Sequence, residues 1–213
     1  MKTEELIAML ANNVAPVERR VIARRFTVAV VIGLLLALAV LLAFLGPRPD
    51  LAEVVRTPLF WAKVALPASL LGGSLWMASR LARPGVRAGG TWVAISIPVA
   101  VLWLAAAGLL LSAPTESRWT LVLGNTWRMC PINIAVLSIP AFATVFWAMR
   151  GLAPTRLRLA GAASGLLAGS MATLAYNLHC PEMSVAFWAA WYVLGMLVPT
   201  VVGAVMGPRL LRW

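Results

Sequence analysis

The chain's single histidine, one of its two cysteines and one of its seven acidic residues stand together in YNLHCPEM, residues 176–183. The second cysteine lies in WRMCPIN, residues 127–133, and like the first is followed directly by proline. Thiol, imidazole and carboxylate so arranged could take a soft metal ion, with Cys130, Cys180, His179 and Glu182 as the candidate ligands. The two thiols could equally form a static disulfide or act as a pair that responds to oxidants. Proline is favoured in the first turn of a helix, where its missing N–H would be unpaired anyway, so Pro131 and Pro181 are each expected to open a helix. A cysteine at such a helix start feels the positive end of the dipole, which favours the thiolate. Hydrolysis is poorly supplied, because a base and nucleophile adjacent in sequence rarely face one another and nothing offers an oxyanion hole. We therefore expect no enzyme.

The elements that must position these residues are set by composition. The chain has 213 residues, 62% of them hydrophobic, against roughly 45–50% apolar residues in a soluble domain. Its mean hydropathy is +0.88. Six apolar runs are long enough to cross a hydrocarbon core of about 30 Å: Thr27–Leu45, Leu59–Ser79, Trp92–Leu111, Ile132–Met149, Leu159–Leu178 and Val185–Met206. The fold class is all-α, a bundle of six transmembrane helices (27–213) behind a short amphipathic arm (1–26), with the lipid bilayer as its principal surroundings. No cleavable leader is expected in the polar to mixed first 25 residues. The net charge of +11 is scattered between apolar runs instead of gathered on one patch, which argues against direct nucleic-acid binding.

Lysine and arginine divide unequally between the two sets of loops. Thirteen lie in the arm, the second and fourth loops and the tail, against four (Arg48, Arg56, Arg118, Arg128) in the others, with Lys63 inside the second span. The positive-inside rule then makes both termini cytoplasmic and sets Cys130 and Cys180 on the far side, each at the mouth of a span. Lys63, near the outer end of its span, is expected to snorkel to the interface. No acidic residue falls in mid-membrane, where an ion-coupled transporter would carry one. Gly161, Gly165 and Gly169 give the fifth span one small-residue face, suited either to packing within the chain or to a homodimer seam. In the arm, Thr3 can cap a helix, Glu4 and Glu5 suit its first turn, and Leu6, Leu10, Val14, Val17 and Val21 recur at helical steps. Pro16 is placed to bend it. The basic RRVIARR half suits the inner leaflet, whereas the half with two acids suits a protein partner with an apolar groove.

The opening MKTEELIAMLA, the six spans behind it, and the single far-side cysteines of WRMCP and of HCPE followed by FWAAWYVLG resemble the NrsF family of inner-membrane anti-sigma factors. The resemblance implies a partner, a sigma factor of the extracytoplasmic-function type, restrained at the bacterial inner membrane. It places the family's sensing thiols on Cys130 and Cys180, with a transient heavy-metal ion or oxidant as stimulus. It places the sigma-binding segment around Thr3 to Ala15, within which Thr3, Glu4, Glu5, Leu6, Ile7, Leu10 and Val14 are the expected contacts. A rival reading, a membrane thiol oxidoreductase or metal transporter using the same cysteines, lacks both a CxxC pair and mid-membrane polar groups.

Overall fold

The computed structural model describes residues 3–12 and 20–212. Among them every regular element is helical: α1 Thr3–Asn12, α2 Val21–Phe44, α3 Leu51–Val54, α4 Pro58–Leu81, α5 Thr91–Ser112, α6 Thr115–Leu123, α7 Met129–Arg150, α8 Leu157–Tyr176, α9 Val185–Phe187, a π-helical turn Trp188–Tyr192, and α10 Val193–Leu210. The last three run on as one helix, so six helices of 20 to 26 residues are long and apolar enough to cross a membrane. All six expected spans are present. Large apolar side chains are exposed along these helices, the surface a bilayer would cover, and a helix satisfies its backbone amides internally as hydrocarbon requires.

The largest difference from the expected bounds is at the first span, and the expected role of Pro181 is overturned. The first span starts at Val21 and not at Thr27, because the helix runs straight from the basic stretch into the apolar one and carries Phe26 into the core. Pro181 does not open the sixth span. That helix starts at Val185, the expected bound, after the extended residue Ser184, and residues 180–184 form an irregular turn whose Cys180 carbonyl accepts from Arg48 and from Lys63 of α4. Pro131 does lie in the first turn of α7.

The bundle is organised around α8, which packs against α10, α7, α4 and α2 and is buried along most of its length, while α5 lies at the periphery against α4 and α9. The tightest approach is between α8 and α10. A Cβ on Gly161 would collide with the Gly203 carbonyl, one on Gly165 with that of Pro199, and one on Gly207 with that of Leu157. Small residues are what let two helix backbones come this close. The glycine face is thus used inside the chain, and a homodimer would have to use another surface. Across the bundle, the Thr144 hydroxyl donates to the Ala29 carbonyl at 3.0 Å, tying α7 to α2.

The amino-terminal arm forms α1, with Glu4 and Glu5 in its first turn. Thr3 is its first helical residue, and Thr3, Glu4, Glu5, Ile7 and Met9 are exposed. Leu6 and Leu10 lie on the same helix, whereas Val14 and Pro16 lie outside the described residues.

Candidate functional site at the two cysteine-bearing loops

Cys130 and Cys180, fifty residues apart, are brought together. Cys130 is the second residue of α7 and Cys180 follows α8 by four residues. Both are free thiols, fully buried, and face one another within interacting reach. Tyr176 lies against Cys130. The buried hydroxyl of Tyr192, next to Cys180, finds no partner in full hydrogen-bond geometry. The floor of the site is apolar, formed by Ile134, Leu137, Ala172, Phe187 and Trp188.

The peptide of Cys180 is held by two cations. Lys63 Nζ donates to the Cys180 carbonyl oxygen at 2.8 Å, and Arg48 Nη1 donates to the same oxygen at 3.2 Å. Lys63 does not snorkel. It is 1% exposed, with its ammonium 5.5 Å from the centre of the Tyr192 ring. An inward lysine needs acceptors to offset its lost hydration, and the irregular turn at Cys180 supplies a carbonyl that a continuous helix would have used itself. Arg48 is oriented by a two-point pair with Asp50, Nε to Oδ1 at 2.6 Å and Nη2 to Oδ2 at 2.7 Å. That pairing raises the Arg48 pKa and lowers that of Asp50. Sequence reasoning missed both cations as parts of this site. The one pointer was Lys63 itself, a charge inside a span with no acid in any span to pair it.

The thiol of Cys180 is pulled down to about 6, first by the Cys130 thiol directed at its sulfur and also by the nearby Lys63 ammonium, with burial opposing both. A sulfur so biased toward the thiolate is the more nucleophilic of the pair.

The other two candidate ligands are engaged elsewhere. His179 Nδ1 lies 2.9 Å from the Gly46 carbonyl oxygen, and its ring packs on Tyr176. Glu182 Oε1 accepts from the backbone N–H of Asn125 at 2.7 Å and of Thr126 at 3.2 Å. Among the described residues, no group of three or more His, Cys, Asp or Glu side chains is arranged to hold a metal ion. The four-ligand set expected from sequence is thus not assembled in this conformation, because His179 and Glu182 serve as loop ties. What the site can do as it stands is bridge two sulfurs, either by oxidation or through a thiophilic ion that needs only two ligands from the protein.

The family described as NrsF, negative regulator of sigma F, matches residues 10–213. Over 213 residues the chain is 45% identical to the probable anti-sigma-F factor NrsF of Azospira oryzae, covering all of both chains. It is 36% identical to the anti-sigma-F factor NrsF of Caulobacter vibrioides over 215 residues, again covering both in full. No solved structure matches the chain significantly. A match this extensive, spanning both cysteine-bearing loops and all six long helices, places the chain in the family of negative regulators of sigma F.

Proposed function

We propose that the chain is a non-enzymatic, membrane-bound anti-sigma factor. It sits in the bacterial inner membrane with both termini cytoplasmic, holds a sigma factor of the extracytoplasmic-function type through α1, and releases it when Cys130 and Cys180 are engaged from the far side. The observation that carries this reading is the full-length similarity to two relatives named as anti-sigma-F factors. The exposed apolar side chains of Ile7 and Met9 on α1 suit a partner's groove. The excess of basic residues on the arm's side supports its cytoplasmic placement.

Engagement would take one of two forms. Oxidation removes two protons and two electrons from the thiols, passes the electrons to the oxidant, and forms one S–S bond. A soft metal ion displaces the protons and binds both sulfurs. Either event ties the start of α7 to the turn after α8. It shifts the bundle only by the difference in stability it gives two conformations, typically a coupling of about 1–3 kcal/mol.

The test is recovery of the detergent-solubilised protein from its native membranes under reducing conditions. A sigma factor should co-purify, and deleting residues 2–15 should abolish that recovery while the protein still inserts. A bound quinone or a stoichiometric transition metal with no sigma factor would instead support a thiol oxidoreductase or a metal transporter.

A further inference from the structure

Glu182, two residues after Cys180, joins the two cysteine-bearing segments through its side chain. Its own carbonyl is fixed by Trp188 Nε1 at 3.1 Å. Its carboxylate takes the Asn125 and Thr126 amides at 2.7 and 3.2 Å and meets the Thr126 hydroxyl at 3.3 Å. The carbonyl of Thr126 in turn accepts the N–H groups of Met129 at 3.1 Å and Cys130 at 2.9 Å, which begins the helix that carries the second thiol. Gly124 makes room for this tie. It adopts φ +55°, and a Cβ there would stand 2.6 Å from Glu182 Oε2. Hydrogen bonds to an ionised acceptor are the stronger kind, and three of them converge here on one oxygen.

We propose that Glu182 is a positioning residue that sets the distance and direction between Cys130 and Cys180, so that one thiophilic agent can bridge both, and that it is not itself a ligand of that agent. The proposal rests on reading the two thiols as the responsive pair of the proposed anti-sigma factor. It assigns to Glu182 a role distinct from the metal ligation its sequence position suggests. Glu182 Oε1 already holds two amides and a hydroxyl of the other loop, and among the described residues the carboxylate is not grouped with the thiols as a metal site.

The experiment uses the purified full-length protein and phenylarsine oxide, which captures paired thiols. Two As–S bonds form, the two thiol protons leave with the arsenical oxygen as water, and arsenic stays trivalent. The readout is the rate of arsenical capture divided by the rate of N-ethylmaleimide labelling of the same variant, so that a change in access to the buried thiols cancels. In Glu182→Ala this ratio should fall roughly tenfold or more, since misplacing two reacting groups by about 1 Å costs rate on that scale. Glu182→Gln keeps an oxygen acceptor and should stay within about threefold of the parent ratio, a rescue that a role in metal charge neutralisation would not give. If Glu182→Ala loses its helical circular dichroism, Glu182→Asp takes its place, because it withdraws the carboxylate by one methylene and should show the same fall. An unchanged ratio in the alanine or aspartate variant, or a glutamine variant as impaired as they are, overturns the proposal. A parent protein that captures the arsenical but keeps its sigma factor defeats the sensor reading alone and leaves the role of Glu182 standing.

Discussion

The chemistry of Cys180 depends on a sulfur fifty residues away, and that dependence can be measured. Below its pKa of about 6 the thiol is protonated and slow to alkylate, and above it the thiolate reacts. Alkylation of Cys180 should therefore rise as pH climbs through about 6 and then level off, instead of rising through roughly 8.5 as an ordinary thiol does. Cys130→Ala removes the largest cause of the depression and should move the midpoint upward, whereas a parent midpoint near 8.5 would mean the two sulfurs do not interact. Cys130→Ser and Cys180→Ser should each abolish the response to a soft metal or an oxidant, with the double variant no worse than either, because the pair acts as one unit. If both single variants respond normally, the thiols are structural. The two cysteines were legible in the sequence as reactive residues at span mouths. Lys63 and Arg48 were not, since a basic residue near a span end reads the same whether it reaches for the interface or turns inward. The acceptor that turns Lys63 inward comes from residue 180 and is visible only once the chain is folded.

At the scale of elements, the six spans were readable because length and hydropathy alone decide what can cross a bilayer. The sixth span starts at Val185 as expected, but the role of Pro181 was misread, because proline suits a first helical turn and an irregular turn equally well and tertiary bonds to Arg48 and Lys63 chose the second. The π-helical turn left no trace in the sequence. It comes directly after α9, and Trp103 of α5 donates to its Ala189 carbonyl at 3.1 Å, so the peripheral helix is pinned where the helical bonding pattern changes. The glycine face of α8 was legible as a packing face, and its partner, α10, emerged only from the fold. Gly165→Ala should therefore destabilise the protein by about 1–3 kcal/mol, the usual range for overpacking, because its new methyl meets the Pro199 carbonyl and backbone cannot yield as a flexible side chain would. Gly108→Ala on α5, where a Cβ meets nothing within 4 Å, is the matched control and should be neutral or slightly stabilising. Denaturant or thermal unfolding in one detergent checks both, and equal midpoints for the two variants would show that the α8–α10 approach is not close.

In the proposed function, a thiol pair on one side of the membrane acts on an arm on the other. The sidedness predicts that a membrane-impermeant maleimide labels Cys130 or Cys180 in intact cells after mild reduction, at a rate limited by opening of the loop because both thiols are fully buried. Labelling only after the inner membrane is permeabilised would reverse the topology. The coupling is tested most directly by measuring how much sigma factor stays bound to the solubilised full-length protein before and after addition of phenylarsine oxide. The parent should lose its sigma factor, whereas the Cys130→Ser/Cys180→Ser double variant should hold it unchanged at the same concentration. Retention of the sigma factor by a parent protein whose two thiols are both captured would contradict the account.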